Sequence, residues 1–155
     1  ADGADGTIIN FFQVQDSSGA GQTLTSATYV DVTGIWGTAV TGTGFTWDGT
    51  ALTVTTDSDV LEISVSVQGV TTLNNRVELG VRIQSDTGGG YSTLTTATQY
   101  AMRNNGQNEG SVVIASFLVF NVTAGDKFKI QANRSGVNVD IGTQGGTFIS
   151  AKRYS

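Results

Sequence analysis

The residues best suited to chemistry in this sequence are its carboxylates, Asp57 and Asp59, Glu62, Asp86, Glu109, Asp126 and Asp140. Two of them at the right separation would serve glycoside hydrolysis, one as acid and one as nucleophile or base. None stands in a motif of defined spacing, and Asp among Gly, Ser and Thr reads as a turn former or a solvated face. The sequence contains no His and no Cys. That removes the Ser-His-Asp and Cys-His nucleophile systems, the imidazole general base, zinc sites built on His or Cys, and any disulfide framework. No catalytic residue and no cofactor site is assigned, and the expectation is a protein without enzymatic activity. Calcium would suit the composition better than catalysis because it needs only oxygen ligands. Asp57-Ser58-Asp59 is nevertheless too short for an EF-hand loop, and no metal ligand is assigned. Gly88-Gly89-Gly90 lacks the following Lys-Ser/Thr and helix of a phosphate loop. Asn121-Val122-Thr123 matches the glycosylation acceptor pattern, but at the end of a strand expected to be buried it is discounted.

The formal net charge is −5, and the eight basic residues are scattered, which argues against a nucleic-acid partner. No apolar run approaches the ~20 residues that cross a bilayer, and no basic-then-apolar leader opens the sequence, so a soluble domain without membrane insertion is expected. Thr, Ser, Val and Gly dominate, a strand-forming and poorly helical composition. Proline is absent while glycine occurs 21 times, so turns fall to Gly, Asn and Asp.

Elements able to carry these residues follow from period-2 alternation. Leu61, Ile63, Val65 and Val67 alternate with polar residues over 60–68. Val77, Leu79, Val81 and Ile83 do the same, and the connection 69–75 predicts that the two strands are antiparallel neighbours. Strands are also expected at 8–15, 28–32, 43–47, 51–55 and 99–103. Phe128, Ile130 and Ala132 mark a later strand, and a last one runs over 147–154. The segment 112–122 is different, because its apolar residues are nearly continuous. Such a strand needs cover on both faces, and in a sandwich the second cover is most simply another subunit. Polar Gly/Asn-rich loops are expected at 85–97, 104–110 and 135–145. Trp36 and Trp47 have no assigned place. Many short strands with turn signals, and no sustained helical spacing, point to one sandwich or jelly-roll domain in the 155 residues.

Gly110 to Phe120, followed by Ala124-Gly125-Asp126-Lys127-Phe128-Lys129-Ile130-Gln131, resembles the penultimate hairpin of C1q-like domains. Gly146-Thr147-Phe148-Ile149-Ser150-Ala151-Lys152-Arg153-Tyr154 resembles their final strand. The resemblance implies an all-β, two-sheet antiparallel jelly-roll sandwich of the TNF/C1q type, ten-stranded and homotrimeric, over residues 8–155. It also implies that the inner sheets of three subunits face a three-fold axis. Phe11, Phe117, Phe120, Phe148 and Tyr154 are then the candidates for the trimer interface. Phe117 and Phe120 lie on opposite faces of their strand, so one belongs to the core and the other to the interface. Tyr91, Asn104, Asn105 and Asn108 are the candidates for surface recognition by loops.

Ala1-Asp2-Gly3-Ala4-Asp5-Gly6 places Gly at every third position, the period of a collagen triple helix. Residues 1–7 read as the end of a collagen-like stalk or as a linker. Proline-free triplets with abundant Thr, Ser, Gly and Asn resemble bacteriophage tail-fibre, head-fibre and decoration proteins. The expected function is therefore that of a virion structural protein, a trimeric head on the virion surface that meets capsid or tail proteins and binds host-surface glycans. The alternative is a bacterial collagen-like surface or spore-coat adhesion module, displayed on the cell or secreted.

Overall fold

A computed structural model describes residues 8–17, 21–71, 77–102, 109–142 and 146–154, without the side chains of residues 8, 9, 98–102 and 109–116. The alternation over 60–68 extends into a central strand, β7 (Ser58–Val70), whose residues Leu61, Ile63, Val65 and Val67 are all buried. One edge of β7 pairs with β13 (Phe148–Tyr154) and, at Gly69 and Val70, with β12 (Val139–Ile141). The other edge pairs with β10 (Glu109–Val122). β1 (Ile8–Gln15) joins β13, β2 (Gln22–Leu24) joins β12, and β4 (Val40–Thr41) joins β1, completing a seven-stranded sheet.

The second sheet has six strands. β11 (Lys127–Gly136) lies between β8 (Val77–Asp86) on one side and β6 (Ala51–Val54) with β3 (Val30–Asp31) on the other. β5 (Phe45–Trp47) and β9 (Ser92–Met102) form its edges. All pairings in both sheets are antiparallel. The sheets close over one core, in which the β7 residues meet Leu79, Val81 and Ile83 of β8 and Phe128, Ile130 and Ala132 of β11. Each fully buried aliphatic or aromatic side chain contributes about 1.5–3 kcal/mol to holding the sheets together.

Several expectations are corrected. The strands over 60–68 and 77–83 are not neighbours: β7 and β8 belong to different sheets. β10 and β11 are likewise split between the sheets. Their turn is fixed by Asp126, whose Oδ2 accepts from the Thr123 amide at 2.9 Å, while Asp57 Oδ1 accepts from the Ala124 amide at 2.8 Å. Gly125 takes a φ of 104°, which a residue with a Cβ resists. The expected loop 85–97 is mostly strand: β8 runs to Asp86 and β9 begins at Ser92. β9 is an edge strand whose Ser92 to Thr96 is rich in hydroxyl residues, so no apolar alternation marks it. β12 interrupts the expected loop 135–145. Thirteen strands stand among the described residues where ten were expected, because β2, β4 and β12 are only two or three residues long.

Trp36 and Trp47 find their place in an aromatic cluster. Their rings meet edge to face at 5.7 Å, and Trp47 and Phe45 lie 5.5 and 6.2 Å from Phe12. Trp36 Nε1 donates to the Val32 carbonyl at 3.0 Å, which satisfies its polar end.

Candidate assembly interface

Residues alternate across a strand, so the half of β7 that does not enter the core is presented on the opposite side of the seven-stranded sheet. Cross-strand register assembles that outward face in rows. Phe11 of β1 is opposite Lys152 of β13, Lys152 is opposite Glu62 of β7, and Glu62 is opposite Leu118 of β10. In the next row Tyr154 is opposite Val60, and Val60 is opposite Phe120. Phe11 is 50% exposed, Leu118 46% and Phe120 63%. Three strand spacings separate Phe11 from Leu118, about 14 Å, so the apolar groups span the width of one face. Val40, opposite Gln13, adds a fourth exposed apolar side chain at the β4 edge. A single exposed apolar residue is ordinary, whereas several on one sheet face make it a candidate surface for association.

The polar members of this face are tied down. Tyr154 Oη donates to Glu62 Oε2 at 2.5 Å. That hydrogen bond, with burial and the Glu62 charge behind it, raises the Tyr154 phenol above its ordinary pKa. Ser58 Oγ donates to the Tyr154 carbonyl at 2.8 Å, anchoring the end of β13. On the core side of the same strand Arg153 is buried, and its Nη2 donates to the Asp57 carbonyl at 2.8 Å.

The register decides between the two phenylalanines of β10. Phe117 is opposite Ile63 and packs against the core, whereas Phe120 turns outward. Phe117 is half-buried on the core side, so of the two it is Phe120 that is left on the outward face. Phe11 and Phe120 lie on the outward face as exposed side chains, and Phe148, opposite Ser66, and Tyr154 are half-buried on it. Sequence reasoning missed Leu118, Val40 and Lys152. Leu118 has the same strand parity as Phe120, and that parity is the signal that would have found it.

Of the recognition candidates, Tyr91 is exposed, with the Lys129 ammonium 4.0 Å from its ring centroid. Asn104, Asn105 and Asn108 lie outside the described residues. Asn121, expected to be buried, is exposed and holds a φ of 55°. The carboxylates accept hydrogen bonds within the fold: Asp86 Oδ1 accepts from the amides of Gly88 and Gly90, both at 2.9 Å. Asp140 Oδ1 accepts from Thr23 Oγ1 at 2.5 Å. Among the described residues no three acidic side chains are grouped as metal ligands would be.

No family model matches the sequence, and no curated protein matches it. Solved structures do match the fold. Eiger TNF from S. frugiperda superposes with a TM-score of 0.66 at 12% identity, covering 96% of this chain and 94% of that one. Murine APRIL at pH 8.0 gives 0.66 at 14% identity, covering 93% of this chain and 98% of its own. Murine APRIL at pH 5.0 gives 0.60 at 16% identity, covering 92% and 98%. The likeness runs through nearly the whole of each chain at identities that speak for architecture alone. The protein is an all-β, two-sheet antiparallel sandwich of the TNF-like jelly-roll fold.

Proposed function

We propose that the chain is a homotrimeric, non-enzymatic virion structural protein, the head of a bacteriophage head fibre, tail fibre or capsid decoration exposed on the virion surface. The observation that carries the assembly is the outward face of the seven-stranded sheet, where Phe11, Leu118 and Phe120 stand exposed in register around the Tyr154–Glu62 hydrogen bond. Three copies packing these faces about an axis would remove the apolar side chains from water, at about 25 cal/mol per Å² of apolar surface. A closed point group also uses the face up and leaves no sticky remainder. The TNF-like jelly roll supports this reading through its sheet order, and the resemblance of the last third to C1q-like domains supports it through sequence.

The virion setting rests on composition. The Gly-every-third-residue run 1–6 suits a three-chained stalk, and a trimeric head would set its three strands in register. With the seven-stranded sheets turned toward the axis, the six-stranded sheets and their loops face outward, where host-surface glycans would be met. Immunoelectron microscopy tests the setting directly. Antibodies raised against this domain are expected to label projections on phage particles. Labelling of bacterial cell surfaces or spore coats in the absence of particles would replace this reading with that of a bacterial collagen-like adhesion module.

A further inference from the structure

Six side chains form a continuous polar ladder on the outward face of the six-stranded sheet, with a tyrosine at each end. The Arg82 guanidinium carbon lies 4.4 Å from the centroid of the Tyr29 ring. Arg82 Nε and Nη2 both donate to Gln131 Oε1, at 2.8 and 2.5 Å. Gln131 Nε2 donates to Asp31 Oδ1 at 2.6 Å, and Lys129 Nζ lies 2.9 Å from the same oxygen. Lys129 in turn sits 4.0 Å from the centroid of the Tyr91 ring. Register explains the alignment: Asp31 and Arg82 both pair with Gln131, from the two edges of β11, and Lys129 is two residues along the same strand. Lys129 and Gln131 are thus about 7 Å apart along β11.

We propose that this ladder is a binding site for a neutral saccharide, with its apolar C–H face on a tyrosine ring and its hydroxyls on Arg82, Gln131 and Asp31. The proposal deepens the glycan-binding part of the function above. It stands apart from the virion setting. Three observations carry it. Tyrosine rings supply rigid, amphipathic contact area at low entropy cost, and Tyr91 is 37% exposed. Long side chains such as Arg, Lys and Gln ordinarily lose rotamer freedom when they meet a ligand. Here that ordering is imposed by folding, because each is already held by its neighbours. The polar groups are also of mixed kind and sign, as polyhydroxyl recognition requires. Asp31 is a carboxylate acceptor: burial pushes its acid upward, but hydrogen bonds from Gln131 and Lys129 and the charges of Lys129 and Arg82 outweigh that and hold it below the usual range. The Tyr91 phenol is pushed up by burial and by Asp48, Asp86 and Asp31, so it remains a donor at neutral pH. Those same carboxylates offset the two cations of the ladder and disfavour an anionic ligand. Gly80 lets Tyr29 lie against the sheet, since a Cβ there would sit 2.9 Å from the Tyr29 hydroxyl and 2.2 Å from Asn133 Oδ1.

The test is a nuclear magnetic resonance titration of the ¹⁵N-labelled chain with the methyl glycosides of glucose, galactose, mannose, N-acetylglucosamine and N-acetylgalactosamine, and with sialic acid as the anionic comparison. The expected result is saturable shifts with at least one neutral glycoside, confined to amides near Tyr29, Arg82, Tyr91 and Gln131. Tyr91→Ala should weaken that binding by about tenfold or more, equivalent to 1.4 kcal/mol, while Tyr91→Phe retains most of it. Light scattering and thermal melting of both variants should match the parent chain, separating a lost site from a lost fold or assembly. No saturable shift with any neutral glycoside, shifts on another face, preference for sialic acid, or unchanged affinity in Tyr91→Ala would overturn the proposal.

Discussion

Phe120 and Val60 stand directly opposite each other across the β10–β7 pair, on the side of the sheet that turns away from the core. Phe120 is the most exposed large apolar side chain of the described residues, at 63%. Because it makes no core contact in the folded chain, its replacement should leave the jelly roll intact and act on assembly alone. Phe120→Glu is expected to give a folded monomer, since a surface change of this kind alters subunit stability by about 0.5 kcal/mol or less. Three unpaired carboxylates brought toward one axis would each cost about 3 kcal/mol or more in a trimer. Sedimentation velocity with circular dichroism checks both halves. A Phe120→Glu trimer of normal stability would place the interface elsewhere.

The Tyr154–Glu62 hydrogen bond ties β13 to β7 on the same face. Because this bond, burial and the Glu62 charge raise the Tyr154 phenol, the folded state holds the proton more tightly than the unfolded state does. The resulting stability is fully present below the unfolded tyrosine pKa of about 10 and is lost as pH rises through the higher folded value. Urea titrations between pH 8 and about 11 should show a stability decline that is shallower in Tyr154→Phe than in the parent chain. At neutral pH, Tyr154→Phe should be the less stable of the two, because the Glu62 carboxylate loses a donor.

Acid should act through the opposite sign. Hydrogen bonds from the Gly88 and Gly90 amides hold Asp86 below the usual carboxylate range, and Asp31 is depressed despite its burial. Stability from such groups is present above the unfolded pKa of about 3.9 and is lost as pH falls through the lower folded values. Stability should therefore fall below about pH 4, with a smaller fall in Asp31→Asn and in Asp86→Asn. A parent chain and variants with parallel acid limbs would show that neither hydrogen-bond set matters to stability.

Gly142 follows β12 with a φ of 78°, and a Cβ there would lie 2.8 Å from Ile35 Cβ and 2.9 Å from Ile35 Cγ2. Ile35 is fully buried and cannot step aside. Gly142→Ala should therefore combine left-handed strain with overpacking and cost about 2–4 kcal/mol. Denaturant unfolding reads this directly, and a loss below about 0.5 kcal/mol would mean that the backbone at Gly142 relaxes freely.

The parts of the fold legible in the sequence are those where one face is buried and the other wet. Leu61, Ile63, Val65 and Val67 announced their strand, and all four line the core. β9 gave no such signal, because at the sheet edge its threonines need no buried partner. The connection between β7 and β8 has a length that suits either a hairpin or a crossing between layers, and local sequence does not distinguish them. β10 is the most instructive case. Its near-continuous apolar run contains a register irregularity between Ile114 and Phe117, so Val112 and Ile114 pair with Val67 and Val65 whereas Phe117 and Val119 pair with Ile63 and Leu61. Three steps along β10 thus match two along β7, a one-residue slip of register. Such a slip changes which residues of a continuous apolar run share a face, and it leaves Leu118 and Phe120 exposed. The polar ladder from Tyr29 to Tyr91 was illegible, because β3, β8, β11 and the turn before β9 contribute to it from 29 to 131 and only register brings them together.

In the proposed assembly three chains share the outward face of the seven-stranded sheet. Multi-angle light scattering across a dilution series measures it most directly. The expected mass is three times the 16.1 kDa of one chain, held until dilution passes the dissociation constant, with a melting temperature that rises with concentration. A monomer persisting at every concentration, with a melt independent of concentration, would contradict it.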